Sequence, residues 1–429
     1  MQAHAGYVTD IHYPCHFHRQ LQPLWLETTL ILLGLKAPVL DAHYRYGELG
    51  CATGINLLVS AVCHPQAHFV GVDFNAAHID FARRAASALK LNNIEFIHAD
   101  FASFAEQKPK PFDVLVCHGV WSWIDANAQA AITRLLRQAL KDQGVFYLHY
   151  MSHPGATALQ PLQRLLKSFA EQIQGNAWQK MQGALDQVLQ LANAGAFADQ
   201  PHMLKRLSAL AEMDASYLAH DFLSDTFNVL HSVDVHQAIA AHGLSYLACA
   251  DVLENLDSLS IPRALQPMIH NAATPVLREQ LRDLARHQHQ RQDLFQRTPK
   301  VLEPQARIHA LRALRFALVR VPPARINTGI GPIEPPATML KALIAHLGQG
   351  PLSMAELIEK PGLASSHNLL LECLQLLMSQ GYVHPCLPGQ ASNTDAINTF
   401  FKRQQIDLTV LGLCATAYSG AAHNRKEPC

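Results

Sequence analysis

The chain has 429 residues, 49% of them hydrophobic and 16% charged, and its formal net charge is zero. That length and mixture predict two or three globular domains and exclude a disordered chain. The charge balance offers no basis for a nucleic-acid surface or an anionic membrane, so small or locally neutral partners are expected. Nine cysteines are scattered without a C-x-x-C pair, which predicts free thiols in a reducing, cytoplasmic setting. No basic-then-apolar leader opens the chain, and no stretch reaches the roughly 20 apolar residues of a spanning helix, so no membrane insertion is expected.

The opening carries "HYPCHFH" (residues 12–18). His12, Cys15 and His16 are ligand types that zinc takes, but Pro14 interrupts a continuous helix and no second cluster completes a tetrahedral set, so no metal is expected. "LWLETTLILLGL" (Leu24 to Leu35) has helix-type apolar spacing and closes on a glycine. Five short apolar runs follow: "HYRYGELG", "HFVGVDF", "IEFIHADF", "FDVLVCHGV" and "GVFYLHY". Helix-compatible stretches such as "AAHIDFARRAASALKL" separate them, which predicts βαβ units and a parallel sheet covered by helices on both faces.

Residues 155–230 then read as a helical insert. "DVHQAIAAHGLSYLACADV" predicts a helix, a glycine stop and a sixth strand, and "ALRFALVRVPP" predicts a seventh. Between them, "RHQHQR" (Arg286 to Arg291) reads as a solvated helical face. After the proline-rich "GPIEPPAT", two helical units and a strand predict a small winged-helix-like module. Its would-be recognition segment, "SHNLLLECLQLLMSQ", has no Arg or Lys, which argues for packing against protein and against DNA binding. The expected boundaries are 1–27 for an N-terminal lid and 28–154 for the catalytic core, with the insert at 155–230. The remaining sheet and regulatory region fall at 231–325, the winged-helix-like module at 336–390 and a tail at 391–429.

The densest chemical signal is "YGELGCATGINLL", where an acid ends a strand and leads through Gly50, Ala52 and Gly54 into a helix. Small residues let backbone approach a ligand closely, and ligands of open α/β sheets sit beyond the strands' carboxyl ends. Glu48 precedes the first glycine by two residues, so a carboxylate faces the ligand, which suits an amino group better than a pyrophosphate. Asp73 in "VGVDFN" is placed to accept both hydroxyls of a ribose. Asp100 in "IHADF" is placed to accept from an adenine amino group, with Phe74 and Phe101 as ring neighbours. Any one of these acids alone reads more simply as a helix N-cap. The three in succession make the constellation specific.

This pattern resembles the class I S-adenosylmethionine-dependent methyltransferases over roughly residues 40 to 150, with Ala52 where that family usually has glycine. The resemblance implies a Rossmann-like seven-stranded methyltransferase sheet and S-adenosyl-L-methionine as cofactor. "YVTDIHYP", "HGVWSWI", "YLAHDFLSD" and "GLSYLACADV" further resemble bacterial methyltransferases with a methyltransferase regulatory domain, a group that includes protein-lysine methyltransferases of outer-membrane proteins. By that resemblance Tyr7, Asp10 and Tyr13 belong to a lid over the cofactor, and His118, Gly119 and Trp123 line the pocket after the fourth strand.

Methyl transfer is an in-line displacement in which alignment and exclusion of water supply much of the rate. The aromatic faces of Tyr13, Trp121 or Trp123 are suited to a sulfonium or an ammonium, and core or channel lining is the competing reading for the two tryptophans. A lysine acceptor is neutral in only about one molecule in a thousand at pH 7, so it needs a base or a desolvating pocket. His118 and Tyr13 are the candidates for orientation or proton transfer. His220 and Asp221 are further candidates, for which a surface pair or a local capping interaction is the simpler reading. The expected function is methyl transfer to lysine side chains of a protein partner. A small-molecule N- or O-methyltransferase and a non-catalytic cofactor-binding regulator are the alternatives.

Overall fold

The computed structural model describes residues 6–11, 13–38, 40, 43–364, 366–388 and 394–404, and the paired backbone of 414–415 and 422–423. His12 and most of the expected tail lie outside the described residues.

The chain enters through α1 (Pro23–Leu32), started by proline at its first position. It then alternates β1 (Arg45–Leu49), α2 (Ile55–Cys63), β2 (His68–Asp73), α3 (Ala76–Ala88), β3 (Ile94–His98), α4 (Phe101–Glu106), β4 (Phe112–Cys117), α5 (Ala126–Ala139) and β5 (Leu140–Met151). Side-chain N-caps mark the helix starts after these strands: Asn75 for α3, Asp100 for α4 and Asp125 for α5. Four helices form the insert: α6 (Leu159–Ala170), α7 (Ala177–Asn193), α8 (Pro201–Ala211) and α9 (Ala215–Phe222). A capping box between Asn176 and Gln179 starts α7, and Asp214 caps α9. The sheet resumes with α10 (Ser232–Ala240), β6 (Leu244–Cys249) and β7 (Gln290–Arg297).

The seven strands lie in the order β3-β2-β1-β4-β5-β7-β6. β1 to β5 pair in parallel, and β7 runs antiparallel between β5 and β6. One face buries Leu26, Leu58, Val62 and Ile79 of α1, α2 and α3. The other buries Phe104, Ile132, Leu136 and Ile239 of α4, α5 and α10. The order reverses between β1 and β4, which puts the ligand crevice at their carboxyl ends. A recess of about 400 Å³ lined by Lys36, His43, Tyr44, Asp113 and Lys141 lies at the opposite, amino-terminal edge of these strands.

Two expectations are corrected. The seventh strand is "QRQDLFQR", so Arg291 is strand and core, and not part of a solvated helical face. Arg291 is 3% exposed and Asp293 is fully buried. The Arg291 guanidinium donates to Asp293 at 2.9 Å, to Glu279 at 2.9 Å, to the Tyr246 hydroxyl at 2.8 Å, and to Asp283. Asp293 also accepts from the Tyr150 hydroxyl at 2.6 Å and pairs with His236 Nε2 at 2.8 Å. Charges that satisfy one another inside a sheet are invisible to a hydropathy pattern.

The apolar run expected as the seventh strand, Arg315–Leu318, instead forms the centre of a small antiparallel sheet between Leu352–Ser353 and Val383–Pro385. With the helices Ala337–Leu347 and His367–Ser379 it builds the C-terminal module. His367–Ser379 buries Leu370, Leu374 and Leu377 in a core shared with Trp25 of α1 and with Val252 and Leu253. The Trp25 indole N–H donates to the Ala250 carbonyl at 2.8 Å, fixing α1 between the sheet and this module. Among the described residues no helix is long and apolar enough to cross a membrane.

Candidate active site

The turn after β1 is fastened to the end of β2. The Gly50 and Cys51 N–H groups donate to the Val72 carbonyl at 2.8 and 3.1 Å, and Ala52 N–H donates to Asp73 Oδ2 at 2.9 Å. Asp73 Oδ1 accepts from Asn75 N–H at 2.8 Å. Gly50, Ala52 and Gly54 all have positive φ, at 76°, 45° and 73°. At Gly54 an added Cβ would lie 2.4 Å from the Phe96 ring. Ala52 holds the left-handed conformation with a Cβ, at a cost of about 1 to 2 kcal/mol, which accounts for a glycine preference there.

Glu48, the next-to-last residue of β1, is 4% exposed, and its Oε2 has no hydrogen-bond partner in the structure. Burial pushes its carboxyl up to about 8, against a lowering hydrogen bond from Asn56, with Asp73 adding to the rise. Asp100 is exposed and accepts the Ser103 N–H at 2.7 Å as the N-cap of α4. Phe74 is half-buried, and Phe101 packs toward the Phe104 face of the sheet.

At the end of β4 three imidazoles stack. His118 lies 4.0 Å from His18 and 4.3 Å from His149, ring centre to ring centre. His118 Nδ1 pairs with the Tyr147 hydroxyl at 2.8 Å. Gly119 N–H donates to His149 Nδ1 at 3.2 Å, so the His149 proton sits on Nε2. Burial, reinforced by His16 and His149, holds His18 down to about 3. Burial takes His149 to about 4 and His118 well below the ordinary histidine range. The stack is therefore neutral at physiological pH. Gly119, at φ 66°, faces open space, with nothing within 4 Å of an added Cβ.

The N-terminal segment threads between the sheet and the insert. Tyr13 N–H donates to His78 Nε2 at 3.4 Å, Cys15 Sγ lies 3.6 Å from Thr53 Oγ1, and His18 N–H donates to Asn56 at 2.9 Å. Toward the insert, Gly6 accepts from Asp225 N–H at 2.9 Å, and Asp10 accepts the Ala177 N–H at the start of α7 at 2.9 Å. The Tyr7 ring meets Phe74 edge-on at 5.7 Å and His220 at 5.6 Å. Tyr13 meets His220 at 5.1 Å, His16 at 5.8 Å and Tyr217 at 6.1 Å.

The structure thus gathers Glu48, the 50–54 turn, Asp73, Phe74, Tyr7, Tyr13, His118 and Gly119 around the carboxyl ends of β1, β2 and β4. Trp121 and Trp123 are not presented to it. They sit in a short 3-10 turn, Trp121 in the sheet's core and Trp123 in the insert's core, 4% and 7% exposed. Trp123 Nε1–H donates to the Asp221 carbonyl at 3.0 Å, so its place is to hold α9, not to face a cation. His220 and Asp221 are not a surface pair, because His220 is 1% exposed and Asp221 half-buried under the N-terminal segment.

Sequence reasoning passed over Asn56, Tyr217 and the stacking of His18 and His149 on His118. Strand alternation in "YLHY" puts Tyr147 and His149 on one face, which was the available signal. Among the described residues no three His, Cys, Asp or Glu side chains converge as a metal set.

Comparison with known proteins accords with this geometry. Residues 40–195 match the family described as "Methyltransferase domain", and residues 214–297 match "Predicted methyltransferase regulatory domain". The uncharacterized protein sll1526 of Synechocystis sp. is 30% identical over 441 residues, covering 100% of this chain and 87% of that one. The uncharacterized protein RP789 of Rickettsia prowazekii is 28% identical over 57% of this chain, which spans only 44% of it. The structure of PKMT2 from Rickettsia typhi in complex with AdoHcy has a TM-score of 0.66 at 20% identity, covering 87% of this chain and 77% of that one. With a methyltransferase sheet, an acid-glycine turn at its switch point and these matches, the chain belongs to the class I S-adenosylmethionine-dependent methyltransferases that carry a methyltransferase regulatory domain.

Proposed function

We propose that this enzyme holds S-adenosylmethionine at the carboxyl ends of β1 to β4 and methylates lysine side chains of a protein. The observation that carries the reading is the buried Glu48 oxygen without a partner, beside the left-handed turn and one strand from Asp73. Such an atom is costly unless a ligand donates to it, and an amino group answers that need. In this reading Glu48 takes the cofactor's amino group and Asp73 its ribose hydroxyls. Asp100, Phe74 and Phe101 serve the adenine, and Gly50, Ala52, Gly54 and Gly119 give the backbone close approach. When bound, the cofactor supplies an electrophilic methyl on a sulfonium.

The chain's own contribution is alignment and shelter. Tyr7 and Tyr13 cover the cleft and exclude water. The neutral stack of His18, His118 and His149 puts no cation beside a sulfonium, and His118 orients the groups at the end of β4. Support for a lysine acceptor comes from the resemblance to bacterial protein-lysine methyltransferases and from the fold shared with PKMT2. Incubating a bacterial lysate with the enzyme and isotopically labelled cofactor, followed by mass spectrometry, tests it. Label on lysine side chains is expected, and label on metabolites alone would replace this acceptor with a small molecule.

The Glu48 assignment makes a separate prediction. With its carboxyl near 8, it is mostly protonated at pH 7, and binding a cationic amino group requires the carboxylate. Calorimetry of S-adenosylhomocysteine binding at pH 7 in two buffers of different ionisation enthalpy is expected to show release of about one proton. Glu48→Gln is expected to abolish that release and weaken binding. An unchanged proton count in the variant would remove Glu48 from the site.

A further inference from the structure

We propose that Asp221, backed by Tyr217 and roofed by Tyr7 and Tyr13, is the recognition site for the cationic amine of the methyl acceptor. The inference deepens the lysine reading and rests on it only for the identity of the molecule that carries the amine.

Four separate parts of the chain build this place. Tyr217 and Asp221 lie one turn apart on α9, and the Tyr217 hydroxyl hydrogen-bonds the Asp221 carboxylate. Tyr7 and Tyr13 arrive from the N-terminal segment and meet His220 at 5.6 and 5.1 Å. The charge of Arg206 in α8 is felt by both Tyr217 and Asp221. Trp123, at the end of the β4 turn, fixes the Asp221 backbone through its indole N–H. Tyr7 is also the link to the cofactor end: its ring meets Phe74, and burial and then the charges of Asp221 and Asp73 push its phenol upward. Its hydroxyl therefore lies in the field of both acids.

A half-buried carboxylate among phenol rings is a costly arrangement unless a cation completes it. Among the described residues Arg206 lends Asp221 the influence of a positive charge but does not close an ion pair with it within 4.0 Å. Burial raises its carboxyl to about 7, against the lowering effects of the Tyr217 hydrogen bond and of Arg206. Aromatic faces and a carboxylate together are the chemistry that recognises an ammonium, whether primary or already methylated. A carboxylate also discriminates against a neutral isostere, because the unpaired charge would be left buried.

The test measures binding of Nα-acetyl-lysine methylamide to the full chain by calorimetry, with S-adenosylhomocysteine present and absent. Nα-acetyl-norleucine methylamide serves as the uncharged control. The lysine probe is expected to bind and the norleucine probe to fail. Affinity should rise with pH through about 7, as Asp221 loses its proton while the amine keeps its own. Asp221→Asn should weaken lysine-probe binding by at least about tenfold. Tyr217→Phe keeps the charge but removes a hydrogen bond that favours the carboxylate, so the pH midpoint should move upward. A purely structural role would not move that midpoint, and this variant decides the matter if Asp221→Asn fails to fold. Equal binding of the two probes, no binding of the lysine probe, or unchanged affinity and midpoint in the variants would overturn the proposal. If the lysate experiment labels protein lysines while the variants keep wild-type probe binding, this inference alone fails. If it labels only metabolites while probe binding depends on Asp221, the lysine reading alone fails.

Discussion

Asp73→Ala is expected to weaken S-adenosylhomocysteine binding at least about 100-fold, because each hydrogen bond to a charged acceptor is worth roughly 1.5 to 3 kcal/mol and the ribose contact proposed for this carboxylate comprises two. Both oxygens already accept backbone N–H groups, from Ala52 at 2.9 Å and Asn75 at 2.8 Å. A carboxylate has about four acceptor positions, so two remain for a vicinal diol. The same two backbone bonds give the residue a second action, since Ala52 is held in a left-handed conformation by the bond it donates. Losing Asp73 would therefore remove the proposed ribose contact and release the turn proposed to let the backbone approach the ligand. Asp73→Asn keeps one acceptor oxygen and the shape, and about a tenfold loss is expected from it. Direct binding measurements, paired with thermal melts of the ligand-free variants, separate ligand contact from loss of fold. Wild-type affinity in Asp73→Ala would remove the acid from the cofactor site.

The first five strands and the placement of three acids at successive strand ends were legible because they are local. Apolar runs such as "HFVGVDF" announce a buried strand without reference to the rest of the chain, and the acid that follows falls at the carboxyl end by counting. What was not legible is what depends on a distant partner. β7 reads as polar because Arg291 and Asp293 are matched by Glu279, Asp283, Tyr246 and Tyr150, and no pattern within "QRQDLFQR" shows that matching. Arg315–Leu318 was legible as a strand, but its apolar pattern does not say which sheet it joins. Asp221 looked like a surface acid because the residues that cover it, Tyr7 and Tyr13, are about two hundred positions away. Trp123 looked like a cation-binding face because aromatic type is visible in a sequence and ring orientation is not.

Arg291→Met is expected to destabilise the protein by about 3 to 5 kcal/mol at pH 8, the usual consequence of removing one partner from a buried ionic group. The substitution keeps much of the side-chain volume, so the loss reports the charge. Arg291 holds Glu279 and Asp293 below the ordinary carboxylate range against the opposing effect of burial, which is the largest influence on each. For groups depressed in this way, stability is present above their unfolded values and is lost as pH falls through the folded ones. Without the guanidinium the sign reverses. Glu279, Asp283 and Asp293 become buried carboxylates with too little compensation, their folded values rise, and protonation relieves them. The deficit of the variant should therefore shrink between pH 8 and pH 5.5, which thermal melts at the two values would show. Arg291→Lys supplies a point charge that cannot reproduce contacts to three acids and a hydroxyl, so it should fall between wild type and Met. Because the network joins β7 to α10 and to the helix Pro275–Arg286, well away from the turn after β1, S-adenosylhomocysteine affinity of the folded variant should stay within about threefold of wild type. A variant that melts like wild type at pH 8 would mean that these buried charges are satisfied by something other than Arg291. One that folds well yet loses the cofactor would mean that the regulatory region is coupled to the cofactor cleft through β5, against which β7 pairs from Val145 to Met151.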